Sequence, residues 1–282
     1  MEIVTWNIQC GRGVDGIVDL QRIARTAQAM GDLDVVCLQE VAQHMPDVDG
    51  GAGADQVAEL AAAFPGYTSV FGAAVDILGA DERRKRFGNL ILSRLPIQQI
   101  FRHLLPQPAD PSAKKSMPRQ ATEVVVAGET GALRIVTIHL EYYSERQRGA
   151  QADRLRVLHE EICANERQPP RQAGDGPYAP TPRPAAAVFC GDFNFIPNDR
   201  IYTQLLAPIG EQAPRLCDAW EVAHPGRAHD PTCGVFDREQ WPQGPHCRDF
   251  FFVTEDLADR VSGVEVDTET PASDHQPVRL VV

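Results

Sequence analysis

Five apolar runs rich in β-branched residues each stop on a polar residue suited to metal or phosphate chemistry. Ile3-Val4-Thr5-Trp6 ends at Asn7, and Val35-Val36-Cys37-Leu38-Gln39 ends at Glu40. Residues 133–138 end at His139, and residues 186–191 end at Asp192, with Asn194 two positions on. Ser273-Asp274-His275 stands just before the last run, residues 277–282. Short runs of this kind read as buried strands. Their polar ends can converge on one rim of a sheet, where α/β proteins build ligand sites.

The wider pattern agrees with a sheet protein. Strand-like runs lie near 2–6, 33–39, 67–72, 88–93, 121–127, 132–138, 185–191, 249–253 and 277–282. Helical periodicity appears at Ile17, Leu20, Ile23, Ala27 and Met30, with Asp15 as the predicted cap. It recurs at Val57, Leu60, Ala61 and Phe64, and at Ala152, Leu155, Leu158 and Ile162. Strands outnumber helices and several are joined by short turns, which predicts mixed sheets over strict βαβ alternation. No composition shift or internal repeat divides the 282 residues, so one domain over 1–282 is expected. Three stretches read as long loops. Residues 103–118 and 223–247 are expected to border the site, and the proline-rich 167–184 to be a mobile surface excursion.

Charge and cysteine content narrow the function classes. The 43% hydrophobic and 23% charged fractions are globular values. No apolar run approaches the roughly 20 residues of a membrane helix. The chain opens directly on a strand-like segment with no basic, cleavable leader, so a soluble cytoplasmic protein without a transmembrane segment is expected. The seven cysteines form no CxxC pair. Cys37 and Cys190 fit small core positions, and Cys233 and Cys247 near His229 and His246 match no zinc spacing. A net charge of −12 with lysine only at 85, 114 and 115 argues against tight non-specific nucleic-acid binding. It does not exclude a nuclease. Two basic clusters, 83–86 and Lys114-Lys115 with Arg119, can grip a phosphate-rich polymer. Solvated loop charges answering Asp81 and Glu82 are the plainer account of 83–86. Tyr142 and Tyr143 suit either base stacking or packing.

The strand-end residues carry definite chemistry. In Gly191-Asp192-Phe193-Asn194, residues i and i+2 of an extended segment face the same way. Asp192 can position or deprotonate a water, and Asn194 can donate to a developing oxyanion. An Asx turn after a strand is the plainer alternative. His275 suits proton transfer near neutral pH, with Asp249 as the carboxylate that would fix its tautomer. Asn7, Glu40, Asp192 and Asp274 form an oxygen-rich, cysteine-free set of the kind that Mg²⁺ or Mn²⁺ prefers. His139 adds a donor to phosphate.

These motifs together resemble the endonuclease/exonuclease/phosphatase superfamily, the deoxyribonuclease I-like phosphoesterases. The resemblance rests on Trp6-Asn7, Leu38-Gln39-Glu40 and Gly88-Asn89-Leu90-Ile91-Leu92-Ser93-Arg94-Leu95-Pro96-Ile97. It continues through His139-Leu140, Gly191-Asp192-Phe193-Asn194 and Ser273-Asp274-His275 in the family's order. It implies a four-layer α/β sandwich of two packed mixed sheets flanked by helices, and Mg²⁺-dependent (or Mn²⁺-dependent) phosphoester hydrolysis. On that model Glu40 binds the metal, with Asn7 and Asp274 in or near its shell. Asp192 and Asn194 position the water and phosphate, and His275, oriented by Asp249, acts as base or transition-state stabiliser. His139 and Arg119 contact phosphate. Trp6-Asn7 leads into a loop unlike that of the family's abasic-site nucleases, and Arg148 and Gln151 after His139-Leu140 fit phosphodiesterase branches. A phosphodiesterase or phosphatase on small or lipid-linked phosphoesters is therefore the first expectation. A nuclease on DNA or RNA is the alternative, and a catalytically silent binding module the remote one. No protein partner is implied.

Overall fold

The computed structural model describes residues 1–49, 53–128, 131–172, 174–210 and 212–282. Its strands are β1 (Glu2–Asn7), β2 (Val35–Gln43), β3 (Thr68–Leu78), β4 (Arg84–Ser93), β5 (Ile97–Leu104) and β6 (Gln120–Gly128). They continue as β7 (Gly131–His139), β8 (Ala187–Asp192), β9 (Leu216–Asp218), β10 (Asp249–Thr254), β11 (Gly263–Val266) and β12 (Val278–Val281). The helices are α1 (Leu20–Ala29), α2 (Pro46–Asp49), α3 (Gln56–Ala63), α4 (Glu145–Arg167), α5 (Arg200–Leu206) and α6 (Ala219–Ala223).

The strands form two six-stranded sheets, ordered β11-β12-β1-β2-β4-β3 and β5-β6-β7-β8-β10-β9. Both are mixed, since β1–β2 and β7–β8 are parallel while their other neighbours run antiparallel. Side-chain alternation explains why the sheets pack in layers. Ile3, Val35, Cys37 and Ile91 of the first sheet meet Val124, Ile135, Val188 and Phe251 of the second in a shared core. The opposite faces carry Val4, Trp6, Val36 and Leu38 toward α1 and α3, and Val136, Ile138 and Phe189 toward α4 and α5. The result is the four-layer α/β sandwich that the resemblance implies, built from the mixed sheets that the strand pattern predicts.

Two motif residues stitch the sheets together. Gln39 donates through Nε2 to Thr5 Oγ1 at 3.0 Å in its own sheet and to Thr137 Oγ1 at 2.9 Å across the interface. Asn89 Nδ2 reaches Gln120 O at 3.2 Å. Buried polar groups in an apolar interface fix register because an unmade bond costs about 1–3 kcal/mol.

Several local expectations need correction. Asp19, and not Asp15, caps α1: its carboxylate accepts from Arg22 N. Asp15 instead holds its own loop, accepting from Ile17 N at 3.0 Å and pairing with Arg22 at 2.7 Å. The strands β5, β9 and β11 fall outside the expected runs. Strand β5 is an edge strand whose outward residues include Gln98, Arg102 and Leu104, so its apolar signal is thin. Helix α4 begins at Glu145, seven residues before its apolar periodicity, behind the Ser144 cap. Most described residues of 167–184 are exposed. The segment is tied at its end by Arg183, which pairs with Glu123 at 2.9 Å. Among the described residues no helix is long and apolar enough to cross a membrane.

Candidate active site

Register in each sheet decides which polar ends become neighbours. Asn7 pairs with Gln39 across β1 and β2, which sets it beside Glu40. Strand β2 does not end at Glu40. It continues to Gln43 through a bulge between Leu38 and Val41, and Glu40 takes φ +58° there. A bulge of this kind turns one side chain out of the ladder. Holding a non-glycine residue in that left-handed region costs roughly 1–2 kcal/mol. In the second sheet Asp192 lies between His139 of β7 and Asp249 of β10, each its direct strand partner.

The loops at this rim are fastened by the same motifs. Gly191 adopts φ +136°, and a Cβ there would sit 1.9 Å from Ile138 O, so only glycine allows β8 to lie against β7. Asp192 Oδ1 accepts from Asn194 N at 2.9 Å, so the Asx turn is present within the site itself. Asn194 Nδ2 donates to Leu140 O at 3.0 Å. Trp6 Nε1 donates to His275 O at 2.9 Å, and Ser273 Oγ donates to Asn7 O at 2.8 Å. Trp6 and Ser273 thereby sew the C-terminal loop onto β1.

His275 is buried between carboxylates. Its Nδ1 lies 2.8 Å from Asp249 Oδ2, and its Nε2 lies 3.8 Å from Asp192 Oδ2 and 4.0 Å from Asp274 Oδ2. Desolvation opposes the imidazolium, but Asp249, Asp274 and Asp192 together hold its pKa well above the usual histidine value. His139 Nε2 lies 3.5 Å from Asp192 and 3.8 Å from Glu40. Burial, with Arg119 nearby, holds the pKa of this second imidazole well below the usual histidine value. Burial pushes Asp249 up to about 6, against the pull of His275. Burial also raises Asp192, but His275, His139, the Asn7 amide and Arg248 together outweigh it and the net shift is downward.

The first sheet contributes a second acidic corner. Burial and the charge of Asp274 push Glu40 up to about 7, and burial raises Asp274 as well. A carboxylate whose proton affinity is raised by burial and by a second carboxylate beside it is a setting in which a cation fits. Asn7, expected among the metal ligands, points its Nδ2 at Glu40 Oε1 and Asp192 Oδ2, both at 3.1 Å. Its Oδ1 accepts from Gln9 N at 3.1 Å, so it presents a donor to this corner, not an oxygen.

Every expected site residue except Asp249 lines one cavity of about 1110 Å³, and Asp249 stands directly behind His275. The 103–118 and 223–247 loops both border it, through residues such as Lys114, Met117, Gln240 and Trp241. Arg119 enters from just before β6, with Nε on Glu141 Oε2 at 3.2 Å and Nη1 buried without a partner. Glu141, Gln240, Trp241 and Arg248 are among the cavity residues that were not singled out as site residues. Gln240 and Trp241 donate to Asp274 Oδ2 at 2.5 and 3.2 Å. Glu141 had a usable signal, since it follows His139 by two residues. Trp241 and Arg248 sit in and just beyond an aperiodic loop that gives no phase. The cluster 83–86 is outside the cavity, with Arg84 and Arg86 paired to Asp76 and Arg83 to Asp81. Cys233 Sγ lies 3.3 Å from His246, but among the described residues no group of three or more candidate ligands includes them. Among the described residues, the group of three or more candidate ligands is Asp192, Asp249 and His275.

Comparison with known proteins agrees with this geometry. A family model described as the Endonuclease/Exonuclease/phosphatase family matches residues 4–275. No curated protein sequence matches the chain significantly. Among solved structures, an endonuclease/exonuclease/phosphatase from Beutenbergia cavernae is 23% identical with a TM-score of 0.68, over 99% of this chain and 70% of that one. A mannosyl-6-phosphatase from Bacteroides thetaiotaomicron is 18% identical with a TM-score of 0.66, over 99% of this chain and 98% of that one. A truncated TDP2 from Caenorhabditis elegans is 17% identical with a TM-score of 0.63, over 100% and 97%.

Proposed function

The chain belongs to the endonuclease/exonuclease/phosphatase family, and from that premise we propose that residues 1–282 act as one divalent-metal-dependent hydrolase of phosphoesters. The substrates are small or lipid-linked phosphodiesters or monoesters. The observation that carries the reading is the placement of His275, 2.8 Å from Asp249 on one side and 3.8 Å from Asp192 on the other, at the floor of the cavity.

Each residue has a distinct task. Asp192 receives the Asn7 Nδ2–H at 3.1 Å and faces the charge of His275, so it stays ionised and takes the proton of the attacking water. His275, oriented by Asp249, offers Nε2–H to the phosphoryl oxygen as negative charge builds there. Arg119, with its unpartnered Nη1, and His139 bind the phosphate from the second sheet, and Asn194 orients it from the turn after β8. Glu40 and Asp274 fit a Mg²⁺ or Mn²⁺ ion, with Asn7 holding Glu40 in place. Such an ion, when bound, polarises a phosphoryl oxygen and steadies the leaving alkoxide.

The name of one structural neighbour, a mannosyl-6-phosphatase, supports a small-ester substrate. The acidic net charge and the pairing of 83–86 with Asp76 and Asp81 also weigh against a polymer grip. The test is a Mg²⁺/Mn²⁺ hydrolysis screen of phosphomonoesters, phosphodiesters and single- and double-stranded oligonucleotides, with EDTA controls. EDTA-sensitive turnover of the small esters is the expected result. Cleavage confined to oligonucleotides would make the chain a nuclease instead.

A further inference from the structure

The cavity's floor is acidic, but its mouth is cationic. Arg148 and Arg248 both line it, and neither makes an ion pair among the described residues. Each is held in place by main-chain carbonyls. Arg148 Nη1 donates to Glu141 O at 2.7 Å and Tyr142 O at 3.0 Å, and Arg248 Nη1 donates to Asn194 O at 3.0 Å. Arg248 Nε adds a bond to His246 Nε2 at 2.8 Å. The guanidinium of Arg248 also sits 5.4 Å from the Tyr142 ring centre and 5.1 Å from that of Trp241, a cation–π box. From the 103–118 loop, Lys114 and Lys115 line the same cavity, exposed and without an ion pair among the described residues. They are two of the three lysines in a chain of net charge −12.

Two fixed guanidiniums that repel one another, in a chain with acidic groups to spare, form an arrangement that an anion would relieve. The scissile phosphate already has Arg119, His139 and Asn194. We propose that the mouth is a second anion subsite, so that the preferred substrates carry another phosphate or carboxylate on the alcohol portion. Arg148 and Arg248 grip this second anion, Tyr142 and Trp241 flank the carbon frame between the two groups, and Lys114 and Lys115 add charge from the 103–118 loop. This inference rests on the proposed hydrolysis for its substrate, but the subsite itself is a binding claim.

A matched aryl series tests it: phenyl phosphate, 4-carboxyphenyl phosphate and benzene-1,4-diyl bisphosphate, with phosphate release as the readout in Mg²⁺. Wild type should favour the two substrates with an anion at each end over phenyl phosphate by at least about tenfold in kcat/KM, beyond the factor of two that the bisphosphate gains from its equivalent phosphates. Arg148→Gln/Arg248→Gln should erase most of that preference, chiefly through KM. Lys114→Gln/Lys115→Gln, on an exposed loop where folding is not at stake, should reduce it by a few-fold and make it less salt-sensitive. Equal use of all three esters by wild type would overturn the subsite. So would a uniform loss across the series in the arginine variant, which would assign those arginines to the scissile phosphate. Isothermal titration of the bisphosphate in EDTA separates the two claims. Binding that the arginine variant loses, without turnover of any ester, would sink the hydrolase reading and keep the subsite, while binding equal to that of phenyl phosphate would sink the subsite.

Discussion

Two histidines of this molecule bond aspartates on neighbouring strands of the second sheet, and only one of the two belongs to the site. His275 meets Asp249 at 2.8 Å, and His229 meets Asp218 at the same 2.8 Å. Asp249 opens β10 and Asp218 closes β9, its neighbour. The difference is which nitrogen is engaged. His275 gives its inner Nδ1 to Asp249 and leaves the tip, Nε2, facing Asp192 and the cavity. His229 gives its tip nitrogen, Nε2, to Asp218 and lies against Trp220 and Phe250, with ring centres 5.7 and 5.6 Å away. Asp218 is itself committed to the fold, accepting from Tyr202 Oη at 2.9 Å and capping α6 through Trp220 N. A pair becomes chemistry only when its outer nitrogen is left to face something that reacts.

The comparison can be broken by mutation, beginning with the largest effect. His275→Ala and Asp192→Asn should each lose roughly two or more orders of magnitude in kcat, with melting temperature little changed. Near-full activity in either variant would mean that its residue has been given the wrong role. Asp249→Asn keeps an acceptor for Nδ1–H but removes the charge that favours the imidazolium, so a loss of roughly ten- to a thousandfold is expected. His229→Ala should do the reverse. Losing its bond to a buried carboxylate should cost about 1–3 kcal/mol in denaturant melts, while activity per folded molecule stays within about twofold of wild type.

A third pair sharpens the contrast through pH and should give the smallest effect. His103 and Arg183 both bond to buried Glu123, at 2.9 Å each, outside the cavity lining. Burial alone would raise Glu123, but these partners and nearby Arg134 bring it down to about 2. A depressed folded pKa means stability that is present above the unfolded value of about 4.3 and lost as pH falls toward 2. Glu123→Gln should therefore flatten the acid limb of the stability profile between those values. An unchanged acid limb would show that the pair carries no such linkage.

The fold was legible where burial imposed a period. Residues 2–6 and 185–191 alternate between two cores, Ile3 against Val4 and Val188 against Phe189, so their apolar runs are unbroken and easy to read. Strand β5 was lost because an edge strand with one exposed face needs few apolar residues. The cap of α1 was misplaced because Asp15 and Asp19 are both chemically suitable, and only the turn geometry of 13–19 decides between them. At the site, the ends of apolar runs announced Asn7, Glu40, His139 and Asp192, since register sets Asn7 beside Glu40 in one sheet and His139 beside Asp192 in the other. The bulge that turns Glu40 outward left no trace beyond the residue itself. Trp241 and Arg248 come from a loop whose path follows tertiary contacts to Asp274 and Asn194, which no local pattern encodes.

The most direct measurement is steady-state hydrolysis of a phosphomonoester and a phosphodiester by wild type, His275→Ala and His229→Ala, each with Mg²⁺ and with EDTA. The account predicts EDTA-sensitive turnover by wild type and His229→Ala at similar kcat, and a loss of at least about a hundredfold in His275→Ala alone. Equal losses in the two histidine variants, or turnover indifferent to EDTA, would contradict it.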